Sequence, residues 1–463
     1  NITIEGYATV KANTLGSDGA GIGGGNGAKG SNITIQGHAN VTANGGWSGA
    51  GIGGGGQGND GGGDAENITI QDYAKVTATA HDGAAIGSGS PRNSLWGTQE
   101  KSGDATNIVI RGHAIVNAKN DGKGAAIGAA GDGKDASAKV TIGTPGATAE
   151  TEDVHVTATG HYGSAIGNGA KDTKVTIQGH STIRTANIRN STAIGSKDGN
   201  VEVNIKDNVT IDTDNVSATA ELYNSGSSIG GGDIRGDSNR KVVVNIDGGT
   251  NGKVKIGDGG QIFGKYGAIS ATEVNIGDNV LLKMRQSGWS TDAKYINVNN
   301  VEAAVGTRSD DPTASGLVNT IGDNTELWYI NNGDELQKIV HGKNLCKKSP
   351  KQNITQQPTC TEPGSADCTC DYEHTNGAAR PSCNRIWTDK VPALGHDWDD
   401  WQVTTPATCT KEGVETRYCK HDHSHVETRP IPATGHHWKD NGDGTHTCTK
   451  CGATEGQPVN TNS

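Results

Sequence analysis

The sequence predicts an all-β chain. Residues 1–343 should form a right-handed parallel β-helix of about eight to ten coils, and residues 344–463 a small Cys/His-rich module of zinc-ribbon-like repeats. Three observations predict this. A short apolar motif recurs in tandem, each repeat carries three segments of alternating apolar and polar residues, and all nine cysteines lie after residue 345.

The repeat comes first. Asn-Ile-Thr-Ile stands at 1–4, 32–35 and 67–70, Asn-Ile-Val-Ile at 107–110, and Lys-Val-Thr-Ile at 139–142 and 174–177. Self-similarity at such a period marks a stacked repeat architecture. In the second repeat the three β segments are Ile33–Ile35, Ala39–Ala43 and Gly49–Gly54. Period-2 alternation turns Ile33, Ile35, Ala39, Val41, Ala43, Ala50 and Ile52 to one face. One coil cannot bury that face alone, whereas stacking at the strand spacing of ~4.8 Å pairs the backbone and closes a core. Each buried Ile or Val is worth roughly 1.5–3 kcal/mol, so stability accumulates coil by coil. The general preference of parallel crossovers sets the expected hand. The 71 glycines, with only 12 prolines and no triplet period, fit tight corners rather than collagen.

The later coils are less regular. Val201–Ile205, Val209–Thr213 and Ser227–Gly232 predict a seventh coil, and Lys241–Ile246 with Lys253–Ile256 begin an eighth. Thr272–Ile276, Val280–Met284 and Tyr295–Val298 extend the stack, and Leu327–Ile330 with Leu336–Val340 should close it. A β-sandwich would not share one repeat across its strands. The units Ile33-Thr34-Ile35-Gln36-Gly37, Val41-Thr42-Ala43-Asn44-Gly45 and Gly49-Ala50-Gly51-Ile52-Gly53-Gly54 resemble the glycine-rich repeats of secreted Firmicutes proteins. Those are right-handed β-helices often described as carbohydrate-binding, so the resemblance implies that architecture and, more weakly, polysaccharide or surface binding.

Two rows of rings fall on corners of the helix. Tyr7, His38, Tyr73, His113 and His180 share a register after the first strand, broken in the fifth coil by the insertion Gly143–Glu152. This row reads as a structural corner ladder. Trp47, His81, His161, Tyr162 and Tyr223 lie between glycines after the second strand and are the ligand-binding candidates, because exposed aromatics are enriched at binding surfaces. Acidic loops at Asp60, Asp64, Glu66, Asp132, Asp135, Asp233 and Asp237 raise calcium as a second cofactor, but no EF-hand or nonapeptide calcium repeat accompanies them, and solvated loops are the preferred reading. Arg235-Gly236-Asp237 matches an integrin-recognition tripeptide, a pattern too short to carry weight. The asparagines of the Asn-x-Thr sequences at Asn32 and Asn67 read as coil-opening corners rather than glycosylation sites.

The tail repeats on its own period, in units of about 358–398, 406–438 and 436–453. Pro358-Thr359-Cys360-Thr361 matches Pro406-Ala407-Thr408-Cys409-Thr410, and Gly395-His396-Asp397-Trp398 matches Gly435-His436-His437-Trp438. Cys448-Thr449-Lys450-Cys451-Gly452 completes the last unit. These residues resemble the A-T-C, C-x-x-C-G and G-H-x-W repeats of many secreted clostridial proteins. Units this small need a staple, and zinc in fourfold Cys/His sites supplies one. Taken unit by unit, Cys360, Cys370, Cys383 and His396 would form one site and Cys409, Cys419, His423 and His436 a second. His446, Cys448 and Cys451, with His437, would form a third. Disulfides are the alternative, but nine is an odd count, and His replaces a Cys in the second unit.

The net charge of −11 and the lack of a basic stripe argue against nucleic acid, and no apolar run is long enough to span a membrane. The chain opens in mid-repeat without a signal peptide or initiator Met, which predicts a processed or excised fragment. The paired acids of a glycosidase have candidates at Asp310-Asp311 and at Asp397, Asp399 and Asp400, without the accompanying catalytic motifs. The expectation is therefore a non-catalytic, extracellular or cell-surface binding protein of a Gram-positive bacterium, with a polysaccharide, host glycan or host surface protein as partner. A self-associating stalk or fibre, an immunoglobulin-binding protein and a polysaccharide lyase or hydrolase are the alternatives.

Overall fold

A computed structural model describes residues 1–14, 18–57, 61–91, 101–131, 135–187, 191–214, 228–231, 240–257, 269–271, 273–285, 325–330, 336–341, 351–369 and 386–459. Among these residues there is no helix. The chain divides into two compact units, the first built on Asn1–Lys351 and the second comprising Gln352–Cys368 with Thr388–Ser463.

The first unit consists of three long sheets. Each repeat gives one strand to each of them in turn: Gly30–Ile35, Asn40–Asn44 and Ile52–Gly53, then Ala65–Ile70, Lys75–Ala80 and Ile86–Gly87. The first sheet has nine strands, from Ile2–Ile4 to Glu273–Ile276, and the third has eight, from Ile22–Gly23 to Ile269–Ser270. All pairings in these two are parallel, so the chain winds in successive coils, the topology of a β-solenoid. The second sheet has eleven strands, and only its last pairing is antiparallel. There Glu326–Ile330 joins Val280–Arg285 in parallel and Leu336–His341 folds back on it. The segments predicted to close the stack thus form its final hairpin. Tyr295–Val298 lies outside the described residues.

Like packs on like in this unit. Ile35, Ile70, Ile110, Ile142, Ile177, Ile205, Ile246 and Ile276 form one column, in register through the first sheet. Ile22, Ile52, Ile86, Ile127, Ile166, Ile194, Ile229 and Ile269 form another in the third sheet. Both columns are buried, as are all seven residues of the second repeat predicted to face inward.

The strands differ in length from the expectation. The first strand of the second repeat begins at Gly30 rather than Ile33, because Gly30 and Ser31 also pair with Ala65 and Glu66 of the next coil, while Asn32 between them and Ile33 takes a left-handed φ of 54°. Asn67 and Asn107 do the same at 54° and 61°, and their side-chain amides link coil to coil, Asn67 Nδ2 donating to Asn32 Oδ1 and Asn107 Nδ2 to Asn67 Oδ1. Asn tolerates this conformation better than most residues. Where Lys139 and Lys174 replace it, the strands pair without a break. The third strand shrinks to Ile52-Gly53 because the glycine turns sharply. Gly53, Gly87, Gly128 and Gly167 have φ between 119° and 146°, and a Cβ on any of them would strike the carbonyl oxygen of the corresponding glycine one coil on.

The second unit contains three three-stranded sheets, each in chain order. The proximal sheet is Lys351–Gln356, Gly364–Thr369 and Ile386–Val391. The middle sheet is Gln402–Thr405, Gly413–Tyr418 and Val426–Ile431. The distal sheet is Trp438–Asp440, Thr445–Cys448 and Thr454–Gly456. The middle and distal sheets are antiparallel.

Candidate metal centres

An antiparallel three-stranded sheet sends its two turns to opposite ends. In the middle sheet the first turn carries Cys409, and the chain leaving the third strand at the same end carries His436. The second turn, at the far end, carries Cys419 and His425. The ligand-type residues of one sequence unit are therefore kept apart, and each end meets a neighbouring sheet instead.

Two clusters result, Cys360–His396–Cys419–His425 and Cys409–His436–Cys448–Cys451, with the ligand atoms of each within 4.8 Å of one another. This corrects the grouping expected from the sequence. Cys409 and Cys419 do not share a site. His425 stands where His423 was expected, while His423 is exposed and its ring lies 6.3 Å from Tyr418. His437 and His446 belong to neither cluster, and Cys448 and Cys451 complete the second cluster rather than open a third. Cys370 and Cys383 lie outside the described residues. The physical reason is the strand count: an odd number of strands separates what the sequence unit holds together.

The two clusters are built alike. Gly395 N donates to Cys360 O and Gly435 N to Cys409 O, both at 3.1 Å. Lys420 N donates to Asp397 O at 2.7 Å, and Thr449 N to His437 O at 2.9 Å, tying each Gly-His segment to the next sheet. The Trp of Gly-His-x-Trp stacks on the clustered histidine, with ring centroids 4.7 Å apart for His396–Trp398 and 4.5 Å for His436–Trp438. Trp398 also bridges to Cys419 and Trp438 pairs with Cys448, so this Trp fixes both partners.

A tetrahedral ion with N and S ligands at about 2.0–2.3 Å holds its ligand atoms roughly 3.3–3.8 Å apart. Cys360 Sγ–Cys419 Sγ is 3.5 Å, Cys409 Sγ–Cys448 Sγ is 3.7 Å and Cys451 Sγ–His436 Nδ1 is 3.3 Å. His425 Nδ1 is buried without a hydrogen-bond partner, a cost that coordination removes. Burial opposes the Cys419 thiolate, but hydrogen bonds from His396 and the backbone at Asp422 and His421 outweigh it and bring the thiol down to about 6. Burial likewise opposes the Cys448 thiolate, while His436 and the backbone at Cys451 and Lys450 bring it down to about 5. Their partners move the other way. Cys409 is pushed up to about 11 by its hydrogen bond with Cys451 and by burial, and Cys360 is raised by burial and by Cys419. Each cluster thus sets one acidified thiol beside a less acidic one, and the Cys/His donor sets fit a divalent cation. The six described cysteines are free thiols.

Of the acidic-loop residues that are described, Asp135 is exposed and two others have partners within the chain. Asp64 Oδ1 accepts from Asp104 N at 2.9 Å and Glu66 pairs with Lys29. Asp60, Asp132, Asp233 and Asp237, the whole Arg235–Asp237 tripeptide and Asp310-Asp311 lie outside the described residues.

The corner row is a true stack over four coils. Tyr7–His38, His38–Tyr73 and Tyr73–His113 have centroids 4.7, 4.9 and 4.7 Å apart and interplanar angles of 2–7°. Each inner ring faces a neighbour on both sides, so the row offers edges rather than faces to a ligand. Asp153 holds the fifth position, its carboxylate 3.0 Å from His155 Nε2 and 3.1 Å from His180 Nδ1. In the second row Trp47 stacks on His81 at 4.0 Å and is 60% exposed, and His161 meets Tyr162 at 4.4 Å. Asp121-Gly122-Lys123, in the coil between, carries no ring and separates the two pairs. Tyr223 lies outside the described residues. Comparison with protein-family models, with curated proteins and with solved structures finds no match.

Proposed function

We propose that the chain is a non-catalytic binding protein of the bacterial cell surface or extracellular space, a right-handed solenoid that displays ligand-binding loops and is followed in sequence by a tail stapled by structural zinc. The exposed Trp47, stacked on the half-buried His81, carries this reading. Its rings sit on a corner backed by a continuous core, so a broad apolar face is held in place without contributing to packing, and sugar rings or partner side chains can lie against it. Tyr162, also exposed, extends the same corner. The ligand is a polysaccharide, a host glycan or a host surface protein. Zinc is the ion because sites of two to three thiolates with imidazole, closed by four protein ligands, suit structural zinc and leave no position open for catalysis.

A glycan array and a host-protein pulldown with the full chain test the binding role. The expected result is a captured ligand whose affinity falls at least about tenfold in Trp47→Ala with Tyr162→Ala, while circular dichroism and Tm stay unchanged. Capture with unaltered affinity in the double variant would remove this corner as the site. No capture in either format would overturn the binding role itself.

A further inference from the structure

The middle sheet has an unusual position between the clusters. Its first turn and exit segment hold Cys409 and His436, and its second turn holds Cys419 and His425. It has almost no core of its own. Strand Gln402–Thr405 is exposed along its length, and within 402–431 the only buried apolar side chains are Cys409 and Cys419. An isolated sheet of this size without an apolar face does not hold itself together.

We infer that the middle sheet couples the two metal centres, so that an ion bound at either one orders the sheet and raises the affinity of the other. This rests on the reading that both clusters bind metal. The first ion to bind must provide the free energy that fixes the three strands. Once they are fixed, Cys409 and His436, or Cys419 and His425, are already placed for the second ion, which binds without that ordering cost. The row His396–Trp398–Arg417–Trp401–Arg429 runs from the first centre across the sheet, with Arg417 4.6 Å from the Trp401 ring centroid and Arg429 4.3 Å from it. Arg417 is held by Glu427 and Arg429 by Glu415, so the row spans the second and third strands. By thermodynamic linkage the coupling is reciprocal.

Cobalt(II) titration of the full chain tests this with two variants that leave the middle sheet intact. Cys360→Ser disables the first centre from the proximal sheet, and Cys451→Ser disables the second from the distal sheet. The remaining centre is followed by its thiolate-to-cobalt absorption, with three thiolates in the second centre and two in the first. The expected result is that each variant weakens the other centre's affinity about tenfold or more and by a similar factor. Binding at the intact centre within twofold of the unmodified chain, in both variants, would overturn the coupling while leaving the metal sites standing. An unmodified chain that takes up no cobalt or zinc at these clusters would overturn the metal reading, and the coupling with it.

Discussion

At the scale of single residues, backbone conformation decides more than side-chain chemistry. Gly87 sits at φ 146° with the Gly128 carbonyl where a Cβ would go. Gly87→Ala should therefore cost about 2 kcal/mol or more, read as a shift in urea midpoint, because neither the dihedral nor the coil spacing can relax alone. The sequence announced the Ile-Gly pairs as strands, and the isoleucines were legible as core from alternation alone. The reason for the glycine was not, because the carbonyl it avoids belongs to the next coil. The same blindness explains His425. His421, His423 and His425 are alike in sequence, and only the turn that brings the His425 carbonyl onto Cys419 N selects among them.

At the scale of elements, the solenoid was readable because each strand repeats its neighbour's pattern, so pairing follows from period. The Asn bulges in the first sheet were not, since one residue at positive φ leaves no trace in the alternation. The corner ladder shows an element tuned at one position. Burial opposes the charged form of Asp153, but His155 and His180 outweigh it and hold its carboxyl below the usual range. A folded pKa below the unfolded one stabilises at pH above the unfolded value, and that contribution is lost as pH falls through the folded value. Asp153→Asn should therefore flatten the acid limb of the stability curve, by about 0.5 kcal/mol or less because the group is solvent-screened. Urea denaturation at neutral pH and near pH 3 measures this, and an unchanged acid limb would show that the pair contributes nothing.

At the scale of the whole molecule, the two units rely on different sources of order. The first buries column after column of Ile and Val, and the described part of it contains no cysteine. Among the described residues, the second buries few apolar side chains beyond its cysteines. Chelation with EDTA should remove the tail's thermal transition and leave that of the solenoid within about 2 °C, as followed by calorimetry. A tail transition that survives EDTA but disappears with a reducing agent would assign the staple to disulfides instead. The ligand types of the tail were legible in the sequence, but their grouping was not. Spacing shows which residues travel together along the chain, and the antiparallel turns then part them.

That parting makes the tail behave like a set of dominoes. The proximal and middle sheets each offer one kind of half-site forward, Cys plus Gly-His, and the middle and distal sheets each offer another kind backward from the second turn, so the forward half of the proximal sheet has the same form as that of the middle sheet. Excising residues 397–436 would join His396 to His437-Trp438 and bring Cys360, His396, Cys448 and Cys451 into one complete set. The shortened chain should bind one ion fewer and still fold its tail, as metal content and circular dichroism would report. Recombination between such repeats could lengthen or shorten the tail in whole tiles without leaving a ligand stranded.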